Sequence, residues 1–348
     1  MPDLSPAWEV LRRAQAEGAF PGAVGMVFGG EDCLGEYAVG GLTYDAGAQP
    51  VNPDTRYDLA SVTKPFVASA VLTLVDAGLV DLEASIGEYL PRLRHLKGST
   101  IRRLLSHTAG LASRPDLHEH YPSPQELQAA FDALPLAYPP GSRVLYTSLG
   151  YQYLGEVITA ATGQGLDAYL GSTVLRPIGA SATDYLPPAS LRPSVAPTEY
   201  SPVRRRLLAG EVHDENAYIL GGVCGHAGLF GTARDVARLG QALLGYGQAA
   251  DLLSSETRAR LFRLETLGLG EPRSLAFIYR DPQFGDGLGR PWTHTGFTGT
   301  SLCLWPEAGI VVALVSNRVH PTRTNRLIVE VRKAFHDAVA RCLGGWAG

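Results

Sequence analysis

The spacing of hydrophobic positions changes twice along the chain and divides the sequence into three stretches. The first stretch opens with an amphipathic helix that carries Trp8, Leu11 and Ala14 on one face. Residues 22–42 form two half-apolar runs around a glycine-rich turn, which predicts a β-hairpin. Residues 51–58 are expected to add a short extended segment. The chain therefore begins with a helix followed by strands.

The second stretch, to about residue 250, has apolar residues at intervals of three and four, which is typical of helices. Residues 65–77 predict a strongly apolar helix that Gly78 closes. Proline-rich and glycine-rich connectors separate four further segments with helical spacing: residues 101–107, 123–135, 149–162 and 233–246.

The third stretch, from about residue 273, returns to strands. SLAFIYR, WTHTGFTGTSLCLWP and GIVVALVSNR predict three strands, and residues 323–343 predict a terminal helix. Strands at both ends of the chain favour an α/β lobe built from residues 1–60 and 251–348. Residues 61–250 then form an inserted, mainly helical lobe that carries the helix of residues 65–77. A cleft between two such lobes is the default place for a site.

Composition and charge narrow the class of protein. The 348 residues are 45% hydrophobic, which suits a folded chain with a sizeable core. A formal charge of −4 argues against a nucleic-acid partner. No apolar run reaches the roughly 18 residues of a membrane span. The opening residues lack the basic start and apolar block of a secretory signal, so we expect a cytoplasmic protein rather than a periplasmic or secreted one.

Lysine is scarce in this chain, and one lysine has a suggestive context. Only Lys64, Lys97 and Lys333 are present, and Lys64 alone follows a serine by three positions at a helix start, in Ser61-Val62-Thr63-Lys64. Side chains at i and i+3 share a helix face. A serine needs a base to become a nucleophile, and a lysine can serve as that base, whereas arginine stays protonated. The alternative is a helix-capping serine followed by a solvated lysine.

Two further motifs carry candidate chemistry. Tyr146-Thr147-Ser148 follows a proline-glycine loop just before a helix, and a tyrosine phenol can pass a proton to a leaving group when a cation is near. His294-Thr295-Gly296 lies on a predicted strand whose edge can pair with an extended substrate, and Gly296 would allow close approach. The N–H of Phe297 could join that of Ser61 in an oxyanion hole. The alternatives are a core tyrosine and a surface His–Thr pair.

Taken in order, the three motifs resemble those of the serine β-lactamase and penicillin-binding protein superfamily, most closely its class C-like branch of esterases, D-aminopeptidases and related hydrolases. The surrounding segments DLASVTKPF, PPGSRVLYTSLGYQYLGEVI and HTGFTGTSLCLWPEAGIVVALVSNR are similar as well, and the likeness extends from about residue 8 to 340.

This resemblance implies a β-lactamase/transpeptidase-like fold, in which helices flank an antiparallel sheet and a helical lobe is inserted. It implies that Ser61 is the acylated nucleophile, that Lys64 and Tyr146 transfer protons, and that no metal or organic cofactor is needed. The substrate-binding residues expected on this basis are Ser148, Asn216, His294, Thr295 and Gly296. The expected partner is a small molecule or a short peptide, and the oligomeric state is left open.

Two departures from the family pattern bear on the substrate. The third motif begins with His294, where true β-lactamases usually have lysine, and a histidine is mostly neutral at pH 7. The second motif ends in Ser148, where asparagine is common. Both changes favour an esterase, amidase or peptidase with weak or no β-lactamase activity. A penicillin-binding protein that is acylated but barely turns over, and a genuine class C-like β-lactamase, are the alternatives.

A metal-dependent hydrolase is a third hypothesis, because His213, Asp214 and His226 lie close in sequence. Their spacing matches no helix-borne ligand pair, and the resemblance makes residues 212–226 a loop at the rim of the cleft. We expect His107 to satisfy backbone groups, and Arg56 and Asp58 to form a turn or an ion pair.

Overall fold

The computed structural model describes residues 1–113, 117–285 and 287–344. The sequence also predicts that loops near residues 110–140 and 180–230 form the substrate rim, and residues 114–116 of the first loop lie outside these ranges. The described helices are α1 (Ser5–Ala16), α2 (Thr63–Asp76), α3 (Ile86–Tyr89), α4 (Ile101–Leu105), α5 (Pro124–Asp132), α6 (Ser148–Thr162), α7 (Leu166–Leu170), α8 (Glu215–Ile219), α9 (Ala233–Leu244), α10 (Ser255–Leu261) and α11 (Ile328–Leu343).

The described strands form three sheets, of which the first is the framework of the molecule. Its six antiparallel strands lie in the order β2-β1-β11-β10-β9-β8, so strands from both ends of the chain meet at the β1–β11 pair. This is the sheet that the sequence predicts. The strands are β1 (Gly22–Gly29), β2 (Asp32–Gly40), β3 (Tyr57–Asp58), β4 (Asp184–Tyr185), β5 (Tyr200–Ser201), β6 (Arg206–Leu207), β7 (Leu229–Gly231), β8 (Ile278–Tyr279), β9 (Trp292–Thr295), β10 (Ser301–Trp305) and β11 (Ile310–Ser316).

The central strands are apolar on both faces because each face is covered by helices. Alternate residues of a strand point to opposite faces. On β11, Val311, Ala313 and Val315 face the large core that includes α9 and the helical region. Residues Val312 and Leu314 face the second core, which α1 and α11 cover. Such two-sided burial explains why β11 shows a continuous apolar run rather than an alternating pattern.

Two of the strand predictions differ from the structure. The segment WTHTGFTGTSLCLWP is a hairpin of β9 and β10 rather than one strand, since the Gly296 N–H donates to the Thr300 carbonyl at 2.7 Å and reverses the chain. SLAFIYR contains only the two-residue strand β8, because the Ser274 N–H donates to the Phe277 carbonyl and closes a turn before it. The alternation of apolar and polar residues that indicates a strand does not reveal turns that are closed by backbone hydrogen bonds.

None of the helices in the described ranges is long and apolar enough to cross a membrane.

The loop that precedes β7 packs tightly against the backbone of α6. A Cβ atom added at Gly225 would lie 2.0 Å from the Tyr151 carbonyl oxygen, and this contact is with backbone that has no freedom to move aside. We predict that Gly225→Ala lowers the free energy of unfolding by about 1–3 kcal/mol, as overpacked sites do. Urea unfolding followed by circular dichroism measures this change.

The matched control is Gly171→Ala, because a Cβ atom there meets nothing within 4 Å and the backbone is helical. Alanine at a helical position is expected to leave stability unchanged or raise it by up to about 1 kcal/mol. Equal unfolding free energies for the two variants would contradict the close contact at Gly225.

Candidate active site

Ser61 lies in a single 3₁₀ turn, Ala60–Val62, that leads directly into α2. The turn begins with Ala60 in the left-handed region, at φ 47°, a conformation that costs an L-residue roughly 1 kcal/mol. The buried carboxylate of Asp58 stabilises it by accepting the Ala60 N–H at 2.8 Å, while its second oxygen accepts the His213 N–H at 2.7 Å. Asp58 thus forms the predicted turn, and Arg56 makes its ion pair with Asp184 instead.

Lys64 is completely buried beside Ser61, one helical turn further along the chain. Its Nζ lies 2.9 Å from the Ser61 Oγ and donates to the His226 carbonyl at 3.0 Å. The i, i+3 spacing therefore brings the two side chains together, as the sequence predicts, and excludes the alternative of a solvated lysine. In this position Lys64 could act as the base that takes the hydroxyl proton of Ser61.

Tyr146 lies immediately before α6, where the chain is fixed by two polar contacts. Thr147 caps the helix by accepting the Leu149 N–H, and the Thr147 N–H donates to Nδ1 of His107 at 3.3 Å. His107 therefore satisfies a backbone group, as expected from the sequence. Two basic side chains lie near the Tyr146 ring: Lys64 Nζ at 5.1 Å and Arg273 Cζ at 5.3 Å from the ring centroid. Tyr146 therefore lies beside Lys64, where its phenol could pass a proton to a substrate leaving group.

His294 lies on β9 and is 3% exposed, with its ring 6.4 Å from that of Tyr146. Its Nδ1 is 3.1 Å from the Thr295 carbonyl. Burial, followed by the positive charges of Lys64 and Arg273, holds the pKa of His294 well below its ordinary value. The ring is therefore neutral at neutral pH, which agrees with the expectation that this position supplies no permanent cation.

Gly296 is required by contacts within the protein. A Cβ atom there would lie 2.0 Å from the Thr300 Oγ1 and 2.6 Å from the Leu59 carbonyl oxygen. The sequence prediction attributed the close approach to substrate, whereas the crowding atoms belong to the β9–β10 turn and to the residues before Ser61. The same turn is tied to that segment by Thr298 and Thr300, whose hydroxyls donate to the carbonyls of Asp58 and Leu59.

Phe297 follows on this turn, and two arginines hold the backbone around it. Arg318 donates to the Phe297 carbonyl at 2.8 Å, and the buried Arg332 donates to the Gly296 and Thr300 carbonyls. The side chain of Phe297 is 37% exposed and packs between the Arg318 guanidinium and the His213 ring. The oxyanion-hole role of the Ser61 and Phe297 N–H groups stays a prediction.

Sequence reasoning missed Arg273, a buried arginine close to the catalytic candidates. It is 3% exposed, its guanidinium lies over the Tyr146 ring, and it forms an ion pair with Glu271. No motif marks it among the 27 arginines of the chain, and no local pattern could have found it. Its position depends on the fold of residues 262–279 against the helical region.

The histidines of the rim loop contact separate carboxylates. His226 Nε2 lies 3.1 Å from Asp214 Oδ1, whereas His213 Nε2 lies 3.1 Å from Glu199 Oε1. Burial opposes ionisation of Asp214, but His226 and the Ala217 N–H hold the pKa of its carboxyl well below its ordinary value. Across residues 1–113, 117–285 and 287–344, no group of three or more His, Cys, Asp or Glu side chains is arranged to hold a metal ion.

Asn216 lies on α8 and lines a small cavity together with Ser148, so the structure brings these two predicted substrate-binding residues to one place. Thr295 ends β9 beside His294. The predicted site residues therefore meet between the sheet and the helical region, with the β9–β10 hairpin on one side and α2 and α6 on the other. Their individual roles stay predictions.

A serine at a helix start, a lysine one turn further on, a tyrosine and a strand edge are together the groups expected of a serine hydrolase. Residues 9–334 match the model of the Beta-lactamase family, and the chain belongs to that family. A protein from Salmonella agona named “Putative D-alanyl-D-alanine carboxypeptidase” is 32% identical over 315 residues, which cover 78% of this chain and 71% of that protein.

Solved structures show the same fold. Unliganded simvastatin synthase from Aspergillus terreus aligns with a TM-score of 0.77 at 21% identity and covers 100% of both chains. EstCE1, described as a hydrolase with promiscuous acyltransferase activity, aligns with a TM-score of 0.76 at 21% identity, covering 96% of this chain and 98% of its own. These likenesses confirm the predicted fold, an antiparallel six-stranded sheet with flanking helices and a helical region.

The buried carboxylate of Glu199 gives the rim a pH-dependent stability. Burial opposes its ionisation, but His213 and Arg323 lower the pKa of Glu199 to about 2. A carboxyl whose pKa is depressed on folding stabilises the protein above its unfolded pKa, near 4.5, and that stability is lost as the pH falls towards 2. We predict that the wild type loses about 2 kcal/mol more than Glu199→Gln between pH 6 and pH 2.5.

Urea unfolding of both proteins at several pH values measures this difference. The two stabilities should converge as the pH falls, because the wild-type carboxyl then becomes neutral like the amide. A gap that stays constant over this range would show that the ion pair with Arg323 and His213 adds nothing to stability.

Proposed function

We propose that the protein hydrolyses small esters, amides or D-residue peptides through an acyl intermediate on Ser61, with weak or no β-lactamase activity. The observation that carries this proposal is the 2.9 Å contact between the Ser61 Oγ and the Nζ of the fully buried Lys64. A serine and an amine held at this distance form the nucleophile–base pair of acyl transfer.

The reaction divides into two balanced steps. In acylation, the Ser61 Oγ attacks the substrate carbonyl as its proton passes to the Lys64 amine, and the leaving group departs with a proton delivered by Tyr146. In deacylation, a water attacks the ester carbonyl and gives its proton to the Tyr146 oxygen, while the Ser61 Oγ leaves with the proton that Lys64 took up in the first step. The N–H groups of Ser61 and Phe297 would stabilise the oxyanion in both steps.

Two features support weak activity towards β-lactams. His294 is buried with a lowered pKa, so the strand edge offers no cation at that position to a β-lactam carboxylate. Ser148 presents a hydroxyl to the substrate, whereas the asparagine common at this position presents an amide with a separate hydrogen-bond donor and acceptor.

The central experiment compares nitrocefin, short-chain p-nitrophenyl esters and D-amino acid p-nitroanilides as substrates. We expect steady turnover of at least one ester or anilide, with nitrocefin hydrolysed far more slowly, and a loss of at least 10³-fold in kcat for Ser61→Ala. The matched control Ser255→Ala, at the exposed start of α10, should retain wild-type rates. Full turnover by Ser61→Ala would refute the proposal.

Mass spectrometry after incubation with a fluorophosphonate should locate the added mass on Ser61. A stoichiometric burst without steady turnover would favour a penicillin-binding protein that deacylates too slowly to act as an enzyme. Loss of activity on treatment with a chelator would favour the metal-dependent alternative.

Peptide carboxypeptidase activity is a second candidate, and one observation favours it. The Arg273 guanidinium is a permanent cation near His294 and Tyr146, where the free carboxylate of a D-alanyl-D-alanine terminus could pair with it. The name of the Salmonella relative points in the same direction.

We predict that Arg273→Gln lowers kcat/KM for a D-alanyl-D-alanine-ended peptide by about tenfold or more, the cost of losing a charge-assisted hydrogen bond. Because a p-nitrophenyl ester lacks the carboxylate, its hydrolysis should fall much less. Measuring released D-alanine against released nitrophenol separates the two. An equal loss on both substrates would show that Arg273 acts on Tyr146 rather than on the carboxylate.

A further inference from the structure

A small cavity lies beside the second motif, Tyr146-Thr147-Ser148. It is lined by Phe131, Ser148, Leu149, Gln152, Asp214, Asn216 and His226, and its volume is about 20 Å³. A volume of this size holds one water-sized group and nothing larger. The cavity adjoins Lys64 through His226, whose ring faces Asp214 and whose backbone carbonyl accepts a hydrogen bond from Lys64.

His226 presents a hydrogen-bond acceptor that has no partner. The side chain is 3% exposed, and its Nε2 faces the Asp214 carboxylate at 3.1 Å. With Asp214 ionised, Nε2 carries the proton of the neutral ring, which leaves a lone pair on Nδ1. In the described part of the chain this Nδ1 is buried without a hydrogen-bond partner.

Gln152 presents a second acceptor of the same kind. It is 8% exposed, and its Oε1 is buried without a partner among the described residues. Its amide also faces the Glu156 carboxylate one helical turn further on, and only the NH₂ end can donate to that anion. The oxygen end is therefore left for the cavity. Buried acceptors without partners are rare and call for a ligand or an ordered water.

We propose that this cavity binds a protonated primary amine on the acyl part of the substrate. Two unpartnered acceptors and the ionised Asp214 carboxylate all demand a hydrogen-bond donor, and a positive charge is favoured beside that carboxylate. An ammonium group has the size of a water molecule, so it fits, whereas an acetylated amine or a carboxylate does not. This inference rests on the proposed acyl-Ser61 reaction and narrows its substrates to aminoacyl compounds.

A water molecule shares the donor chemistry of an ammonium group, and the experiment separates the two. D-alanine methyl ester, N-acetyl-D-alanine methyl ester and methyl propionate are hydrolysed in parallel at pH 6.5, where an α-amine is largely protonated. The amine preference is kcat/KM for the amino ester divided by that for methyl propionate. Comparing this ratio between variants cancels the intrinsic reactivities of the esters and the fraction of active enzyme.

The informative variants are Gln152→Leu, which removes one acceptor, and Asp214→Asn, which removes the charge but retains a good helix-capping side chain for α8. Each should lower the amine preference about tenfold or more, the effect of losing one charge-assisted hydrogen bond. The control Gln164→Leu, at an exposed position after α6, should leave the preference within twofold of the wild type.

In the wild type, N-acetylation of the amino ester should abolish the preference. A preference that is unchanged in both variants would mean that the cavity holds only water, and would overturn the inference. If no ester of the series is hydrolysed, the proposed acyl-Ser61 reaction itself has failed. The two failures are therefore distinguishable.

Discussion

The structure around the site depends on one constraint, the burial of Lys64. An amine that is completely removed from solvent requires nearby acceptors, and two are supplied by different parts of the chain: Ser61 Oγ and the carbonyl of His226. The first follows from helix geometry. The second requires the loop before β7 to reach α2, and Gly225 permits this by lying directly against the backbone of α6. Ser61, Lys64 and the rim loop are therefore positioned together.

A second set of contacts fixes the turn of Ala60–Val62, which carries Ser61, relative to the sheet. The carbonyls of Asp58 and Leu59 accept hydrogen bonds from hydroxyls of the β9–β10 turn, and the missing side chain of Gly296 provides room for Leu59. Arg332 anchors the same turn from α11. The strand edge that would bind substrate thus keeps a set distance from Ser61, as acyl transfer between fixed groups requires.

Charge in the site is distributed over several segments rather than concentrated at one position. His294 is neutral, Arg273 is paired with Glu271, and the Asp214 carboxylate faces His226. Because His294 is neutral, we expect this site to bind a substrate carboxylate less strongly than a family site with a lysine at position 294. The acceptor-rich cavity near Ser148 would instead favour a positively charged group on the substrate.

The sequence by itself determined the elements whose signals are local. The i, i+3 spacing placed Lys64 beside Ser61, continuous apolar runs revealed the buried central strands, and strands at both ends of the chain predicted the shared sheet. These follow from helix pitch and strand pleat, which need only neighbouring residues. The family resemblance extended them to the fold and the site.

Only the tertiary structure decided what depends on residues distant in sequence. The pairing of His226 with Asp214, the position of Arg273 over Tyr146 and the reason for Gly296 arise from segments that meet after folding. The β9–β10 turn was missed because its hydrogen bonds, rather than its hydrophobic pattern, reverse the chain. Periodicity reports which face of an element is buried, but it does not report which distant side chain arrives there.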